Sequence, residues 1–269
     1  RGLGDVYKRQ DDAHIFCTPE QIESEVSALF RFVFEIYDLF GFSDVKIRLA
    51  TRPEKAIGEP EVWRHAEQVL EACLAAREGA DYTIDAGGGS FYGPKIDFDV
   101  HDALGRAWQL ATIQLDFQMP ERFDLTYVDS DGVEKRPVMI HRAILGSIER
   151  FIGVMIEHFA GDLPPWLAPE QVRVLPITDA FNEYAATVVA ELRRRGLRAD
   201  VDTRSEKLGY KIRDGETMKV PYLLVVGQRE ADDGTVALRL RHRRDEGSQP
   251  LAEVVERIAN TVQQRSLEP

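Results

Sequence analysis

The chain has 269 residues, of which 43% are hydrophobic and 30% charged, and its formal net charge is −12. This is the composition of an ordinary globular protein, and it excludes collagen-like, coiled-coil and wholly disordered chains. No apolar run approaches the length of about 18 residues that a transmembrane helix needs, and residues 1–10 lack the apolar stretch of a secretion signal. Two cysteines, Cys17 and Cys73, make no disulfide framework. We therefore expect a reduced, cytoplasmic location and no membrane partner.

The acidic charge is uneven along the chain. Residues 1–171 carry 17 basic and 30 acidic side chains, whereas residues 172–269 carry 17 basic and 16 acidic ones. The bases of the second part cluster at 193–198 and 239–244. Because phosphate contact needs local cations and not a basic average, these clusters suit either an RNA-binding surface or the solvated faces of a helix and a strand.

The pattern of apolar residues in the first part of the chain predicts an α+β domain. Helices are predicted over 19–40, 60–77 and 144–159. Strands are predicted over 45–50, 96–100, 108–117 and 138–140. The strands at 96–100 and 108–117 are expected to form an antiparallel hairpin, and the helices to pack on one side of the sheet.

A Pro-rich segment divides the chain. Residues 161–169 hold three prolines, which neither a helix nor a central strand accommodates. We therefore predict a first domain over 10–163, a linker over 164–171 and a second domain over 172–269. Residues 1–9 are interpreted as a non-native leader.

Strands and helices alternate in the second domain, which predicts a mixed sheet covered by helices, an α/β arrangement. The predicted strands are 172–177, 197–201, 222–226 and 236–241. The predicted helices are 181–195, 206–213 and 251–265. Because apolar and basic residues alternate over 236–241, one face of that strand is expected to be wet and positive.

Two histidines are the first candidates for chemistry. His14 and His141 each stand beside apolar residues, a setting in which a histidine is usually part of the core. They lie far apart in sequence, so their spacing is no local metal motif. Core histidines and zinc ligands remain alternatives.

A Gly-rich loop and a basic residue are further candidates. Residues 87–95 end in Lys95 and form either a flexible entry to the hairpin or a loop that meets a phosphate or carboxylate. Arg150 stands near the start of an apolar helix. If buried, its guanidinium needs either a carboxylate, from Glu149 or Asp116, or an anionic or aromatic ligand.

Uncharged polar residues on the strand at 108–117 suit hydrogen bonding to a ligand. Thr112 and Gln114 can share one face of this strand. By strict alternation Gln109 cannot share that face with both of them.

Five sequence blocks together resemble the C-terminal portion of the threonyl-tRNA synthetase family, a class II aminoacyl-tRNA synthetase family. The resemblance runs from about residue 10 to residue 266. Its most specific blocks are 10–17 (QDDAHIFC), 51–55 (TRPEK), 91–95 (FYGPK), 112–117 (TIQLDF) and 137–147 (PVMIHRAILGS). It implies part of an antiparallel class II catalytic core followed by an α/β anticodon-binding domain. It also implies ATP-dependent activation of threonine, with Mg²⁺, and transfer of the threonyl group to tRNA(Thr).

The resemblance implies a zinc ion held by one cysteine and two histidines. His14 and His141 match the histidines, whereas the cysteine belongs upstream, and neither Cys17 nor Cys73 matches it. Such an ion distinguishes threonine from valine by coordinating the hydroxyl, where an apolar pocket alone offers only about 1–3 kcal/mol. The implied substrate-binding residues are Gln10, Asp12, Tyr92 and Gln114.

The resemblance also implies a nucleotide site. Arg150 matches the catalytic arginine of the third class II signature, which stacks on adenine and neutralises ATP, and Gln109 and Thr112 match positions near the nucleotide. The first two signatures, one of which builds the dimer interface of the family, do not occur in this sequence. We therefore expect the isolated chain to be inactive and the longer parent protein to be a homodimer.

Four residues of the second domain match positions that contact anticodon bases: Ser205, Lys219, Glu230 and Arg239. Two alternative functions remain. One is a non-catalytic module that binds tRNA or mRNA through this domain. The other is a ligase for another amino acid, as in the prolyl and histidyl relatives, against which Asp12, His14 and His141 argue.

Overall fold

The computed structural model describes residues 11–76, 81–102, 104–242 and 244–269. The chain divides into two compact units, residues 1–158 and residues 159–269. Among the described residues no helix has both the length and the apolar character needed to cross a bilayer.

The first unit is built on an antiparallel sheet. Its elements are β1 (Ala13–Cys17), a 3₁₀ turn (Pro19–Gln21), α1 (Ile22–Leu39), β2 (Val45–Ala50), α2 (Pro60–Ala75), β3 (Tyr82–Asp85), β4 (Lys95–His101), β5 (Ala107–Asp116), α3 (Gln118–Arg122), β6 (Tyr127–Val128), β7 (Glu134–Lys135), β8 (Val138–Ala143) and α4 (Ile148–His158). In the described residues the main sheet has the order β1-β8-β5-β4-β2-β3. Its pairs are antiparallel apart from β2 with β3. Strands β6 and β7 form a separate hairpin.

Helix α1 packs against this sheet because its apolar residues recur at helical spacing. Val26, Phe30, Val33 and Tyr37 are buried along one face of the helix. The ring of Phe30 lies 5.3 Å from the ring of Phe98 in β4. The predicted α+β class of the first unit is confirmed.

Helix α4 begins four residues later than predicted. The backbone N–H groups of Ile144, Leu145 and Gly146 donate to the carboxylate of Asp11 at 2.8–2.9 Å, so they are held in a turn before the helix. Gly146 adopts a left-handed φ of 68°, which is accessible to glycine and breaks the helical path. Strands β1 and β3 were not predicted.

The second unit contains a mixed sheet with helices on both faces. Its elements are β9 (Val172–Pro176), a 3₁₀ turn (Asp179–Phe181), α5 (Asn182–Arg194), β10 (Ala199–Val201), α6 (Leu208–Thr217), β11 (Tyr222–Val226), α7 (Gln228–Asp233), β12 (Thr235–Leu240), β13 (Arg244–Pro250) and α8 (Leu251–Gln263). In the described part the strand order is β10-β9-β11-β12-β13. Strand β9 is parallel to β10 and β11, whereas β12 is antiparallel to β11 and β13.

Two apolar clusters show how the helices cover this sheet. The larger cluster joins α5 and α8 to one face, and a smaller cluster around Leu223 joins α6 to the other. The predicted α/β arrangement is confirmed, although α7 and β13 were not predicted.

The Pro-rich segment makes ordered contacts within the second unit. The side chain of Gln171 donates to the carbonyl of Pro165 at 2.8 Å. The guanidinium of Arg198 donates to the carbonyls of Trp166 and Ala168 at 2.9 and 2.8 Å. The segment predicted as a linker over 164–171 is thus tied to the body of this unit.

Candidate active site and RNA-binding residues

Strand pairing brings the two candidate histidines together. In the antiparallel pair of β1 and β8, His14 stands directly opposite His141. Their ring centroids lie 4.5 Å apart with an interplanar angle of 72°. His14 is exposed, and the side chain of His141 keeps 14% of its surface accessible. The alternative in which His14 is a core histidine is therefore wrong.

Asp116, at the end of β5, contacts the imidazole of His141. Its carboxylate oxygen Oδ2 lies 2.9 Å from Nε2 of His141. Its other oxygen, Oδ1, accepts hydrogen bonds from the backbone N–H groups of Gln118 and Met119 at 2.7 and 2.9 Å. The carboxylate is fully buried, and it was considered from the sequence only as a partner of Arg150.

A tyrosine and a glutamine continue the site beside His141. The ring of Tyr92 lies 4.9 Å from that of His141, and its hydroxyl donates to Oε1 of Gln114. The hydroxyl of Ser90 donates to the same oxygen at 3.1 Å. Burial raises the pKa of Tyr92, and the nearby carboxylates of Asp116 and Asp12 raise it further. The phenol therefore stays protonated and can act as a donor.

The Gly-rich loop lies close to β5, and this close approach requires a glycine at position 93. A Cβ on Gly93 would lie 1.9 Å from the carbonyl oxygen of Leu115. This approach is possible only for glycine, and it places Tyr92 beside Gln114. The loop at 87–95 therefore packs against β5 at Gly93.

Asp97 in β4 joins the candidate nucleotide residues. Its Oδ1 accepts hydrogen bonds from Nε2 of Gln109 and Oγ1 of Thr112, both at 2.8 Å. Its Oδ2 lies 2.6 Å from Nζ of Lys95. Asp97 is 1% exposed. Sequence reasoning missed it, although a charged residue inside an apolar strand must have partners when it is buried.

A β-bulge explains why Gln109 joins this group. Asp97 pairs with Thr112 and Phe98 with Ala111, but Asp99 pairs with Gln109, so Leu110 is an extra residue in β5. The expectation that strict alternation keeps Gln109 from sharing a site with Thr112 and Gln114 is therefore wrong. Nε2 of Gln114 donates to Oγ1 of Thr112 at 3.3 Å, which links the two pairs.

Arg150 is exposed on α4, so the condition under which it would need a buried partner is not met. Its guanidinium carbon lies 6.0 Å from the ring centroid of Trp108. One nitrogen makes a long hydrogen bond of 3.5 Å to the carbonyl of Gln109. Of the two carboxylates considered as its partners, Glu149 accepts from Ser147, and Asp116 contacts His141.

Asp12 lies on the same exposed face of the chain as His14, two residues before it. Gln10, the remaining candidate for substrate binding, falls outside the described residues, as does the leader at 1–9.

The cysteines do not complete a metal site. Both thiols are buried, and burial raises the pKa of Cys17 and of Cys73 to about 11. Raised pKa values disfavour the thiolate that binds metals. Within the described residues, no group of three His, Cys, Asp or Glu side chains could hold a metal ion.

The four candidate anticodon residues lie on separate elements of the second unit. Ser205 is exposed after β10. Glu230 accepts a hydrogen bond from the backbone N–H of Gly227 at 3.1 Å and so caps α7. Lys219 has a left-handed φ of 58°, and its Nζ lies 3.3 Å from the carboxylate of Asp162.

The basic face predicted for the strand at 236–241 is smaller than expected. Arg239 forms an ion pair with Asp245. Arg241 is 5% exposed and donates to the carbonyl of Leu163 at 2.8 Å. The expectation of a wet, positive face is therefore wrong at Arg241.

Arg239 nevertheless lines a groove between α6 and β12. The groove has a volume of about 680 Å³, and Arg213 and His242 line it together with Arg239. Arg213 is exposed on α6. His242 belongs to the basic cluster at 239–244, whereas Arg213 was not singled out from the sequence because it lies on a different element from Arg239.

Two family models cover most of the chain. Residues 8–159 match the tRNA synthetase class II core domain (G, H, P, S and T), and residues 171–261 match the anticodon binding domain. The chain therefore belongs to the class II tRNA synthetase core family.

Within this family the chain is similar to threonine–tRNA ligases. It is 50% identical to that of Magnetococcus marinus and 54% identical to that of Syntrophomonas wolfei, in each case over 258 residues. These alignments cover 96% of this chain and 40% of each relative, so the chain spans well under half of their length. The resemblance stated from the sequence blocks is confirmed.

A solved structure has the same architecture. It is the crystal structure of the RNA binding domain of threonyl-tRNA synthetase from Cryptosporidium parvum Iowa II, with a TM-score of 0.88 and 44% identity. The match covers 94% of this chain and 63% of that one. The predicted fold, part of a class II core followed by an anticodon-binding domain, is confirmed.

Proposed function

We propose that the chain is part of a threonine–tRNA ligase. This enzyme activates threonine with ATP and Mg²⁺ to threonyl-adenylate and then transfers the threonyl group to tRNA(Thr). The observation that carries the proposal is the pairing of His14 and His141 beside Tyr92 and Gln114. We also propose a cytoplasmic location and, for the complete enzyme, a homodimer. The similarity to threonine–tRNA ligases over 96% of the chain supports these assignments.

The two imidazoles fit a zinc site as two of its ligands. Imidazole nitrogen is a usual zinc ligand, the two rings lie 4.5 Å apart, and the exposure of His14 leaves room for a substrate. The described residues supply no third ligand. When bound, the ion offers coordination positions to an amine and a hydroxyl, and valine lacks the hydroxyl.

The protein side chains orient the amino acid. The Tyr92 hydroxyl donates a hydrogen bond to Gln114. The lone pairs of the Tyr92 oxygen can therefore accept a hydrogen bond from the substrate ammonium. Asp12 provides a second acceptor beside His14, and Gln10 is proposed to line the same pocket. Since the orientation of Gln114 is held by Ser90 and Thr112, the pocket is organised before the substrate binds.

Other side chains receive the nucleotide. Asp97 holds the amide of Gln109 and the hydroxyl of Thr112 in fixed orientations. Arg150, near the ring of Trp108, presents a planar and permanently charged group that can stack on adenine and neutralise phosphate. We propose Arg150 as the catalytic residue of this chain, because it would touch ATP.

In the second unit we propose that Ser205, Lys219, Glu230 and Arg239 contact the anticodon. A single-stranded loop exposes base edges to such side chains. Arg239 has the strongest support, since it lines a groove with another arginine. Glu230 already serves as a helix cap, so its carboxylate would have to leave Gly227 or use its free lone pairs.

Pyrophosphate exchange tests the proposal. The chain alone should show no exchange above background, because the first two class II signatures do not occur in its sequence. A chimera that joins the upstream part of the Syntrophomonas wolfei ligase to this chain should exchange with threonine and reject valine. In the chimera, His141→Ala should abolish this selectivity.

The alternatives predict different results. Exchange with proline or histidine in place of threonine would replace the substrate assignment. Binding of tRNA by a chimera that exchanges with no amino acid would favour the non-catalytic RNA-binding module. Exchange by the isolated chain would contradict the expected inactivity.

A further inference from the structure

A buried carboxylate directly behind His141 has no assigned role in the site. Asp116 is fully buried, and each of its oxygens has a defined partner. The two backbone N–H groups at the start of α3, those of Gln118 and Met119, both point to Oδ1. This leaves Oδ2 for Nε2 of His141, at 2.9 Å.

The chemistry of this contact determines which nitrogen of His141 carries hydrogen. A carboxylate oxygen is an acceptor, so Nε2 must be the donor. A neutral imidazole has one N–H, and Nδ1 of His141 therefore keeps its lone pair. A metal ion binds to the nitrogen that has the lone pair.

We infer that Asp116 is the positioning residue of the metal site, because it holds His141 as the tautomer whose Nδ1 is free to bind a metal. The inference rests on the proposed function for the identity of the metal, zinc. The tautomer itself follows from the contacts of Asp116 alone.

Replacing Asp116 with asparagine should reverse the tautomer. An asparagine has one acceptor oxygen and one NH₂ group. The oxygen must remain at the position of Oδ1, because the N–H groups of Gln118 and Met119 both require an acceptor there. The NH₂ group then faces Nε2 of His141, which has to become an acceptor, so the hydrogen moves to Nδ1 and the lone pair there is lost.

Asp102, in the first unit, offers a matched control. This aspartate is also buried, and its Oδ1 likewise accepts two backbone N–H groups, those of Leu104 and Arg106 at 2.9 Å. Its Oδ2 is held by the side chains of Arg106 and Trp108 and not by a histidine. Asp102→Asn therefore disturbs a comparable hydrogen-bond network without reaching His141.

Long-range ¹H–¹⁵N correlation spectra of the histidine side chains test the inference on the chain itself, at alkaline pH where imidazoles are neutral. The wild-type spectrum should show His141 protonated at Nε2. Asp116→Asn should shift the hydrogen to Nδ1, whereas Asp102→Asn and His14→Ala should leave the wild-type tautomer. An Nδ1–H tautomer in the wild-type chain would overturn the inference, and this measurement needs no variant to fold.

Zinc titration of the chimera with the upstream part of the ligase, which supplies the missing ligand, and of its Asp116→Asn variant separates this inference from the proposed function. The signals of His14 and His141 should shift together, and Asp116→Asn should weaken zinc binding by about 10–100-fold. An unchanged zinc affinity in folded Asp116→Asn would overturn the positioning role. A wild-type chain with the Nε2–H tautomer, together with a chimera that shows no zinc response, would support the hydrogen bond of Asp116 to His141 and overturn the zinc assignment of the proposed function.

Discussion

The proposed active site of the first unit and the proposed RNA-binding residues of the second unit are organised differently. In the first unit the side chains contact one another in a continuous series, from Tyr92 through Gln114 and Thr112 to Asp97 and Gln109. In the second unit three of the four candidates are each engaged in a separate local contact. Glu230 caps α7, Arg239 pairs with Asp245, and Lys219 contacts Asp162.

The difference shows how each unit would meet its ligand. A network of buried hydrogen bonds orients donors and acceptors before a ligand arrives, which suits the geometric demands of catalysis. Surface ion pairs contribute little stability, so Arg239 can exchange Asp245 for an RNA group at low cost. We expect a substitution in the network of the first unit to affect several of its side chains together. A substitution at one candidate of the second unit should affect that residue's contact alone.

The largest expected effect comes from removing the shared carboxylate of the network. Asp97→Ala leaves Lys95 without its close partner and two polar side chains without an acceptor. We expect the free energy of unfolding of the first unit to fall by about 3–5 kcal/mol. Urea denaturation followed by tryptophan fluorescence would measure it.

The matched variant in the second unit is Asp245→Ala, which removes the surface partner of Arg239. It should lower the free energy of unfolding by less than about 1 kcal/mol. Equal losses in the two variants would refute the contrast between a shared network and separate contacts.

A smaller effect is expected from the close approach of the Gly-rich loop. Gly93→Ala brings a Cβ to 1.9 Å from the carbonyl of Leu115, so the loop must move and Tyr92 loses its position beside Gln114. We expect a destabilisation of about 1–3 kcal/mol, measured by thermal denaturation. Gly153→Ala in α4 is the control, because nothing lies within 4 Å of its Cβ. That variant should be stabilised by up to about 1 kcal/mol, and the same sign in both variants would contradict the prediction.

The smallest effects concern RNA affinity. Arg239→Ala and Arg213→Ala should each weaken binding of the anticodon stem-loop of tRNA(Thr), and each should lower the slope of affinity against salt by about one if the lost contact is to phosphate. Asp245→Asn should strengthen binding, because it frees Arg239. Filter binding at several salt concentrations would measure all three, and unchanged affinity of Arg239→Ala at every concentration would remove this residue from the RNA surface.

Much of the local structure follows from residue patterns. The strands at 45–50 and 222–226 have the predicted bounds, because their apolar residues are bounded by turn residues on both sides. Helix α1 follows from its repeated apolar face. Glu230 stands three residues after Gly227, which is the spacing at which a glutamate side chain reaches back to the backbone N–H of the N-cap residue.

Other features depended on contacts that local patterns do not contain. The bulge at Leu110 changes the side to which Gln109 points, and the hydrogen bonds from Asp11 delay the start of α4. Arg241 is buried, and its guanidinium donates to the carbonyl of Leu163, a residue far away in sequence.

The sequence by itself determined the two-part organisation, the class of each unit and the family, since these depend on periodicity, prolines and short motifs. The tertiary structure alone decided that His14 faces His141, that Asp116 holds His141 and that Asp97 joins Gln109 to Thr112. The reason is that these neighbours are set by the register between strands, and register depends on long-range packing that no local stretch of residues encodes.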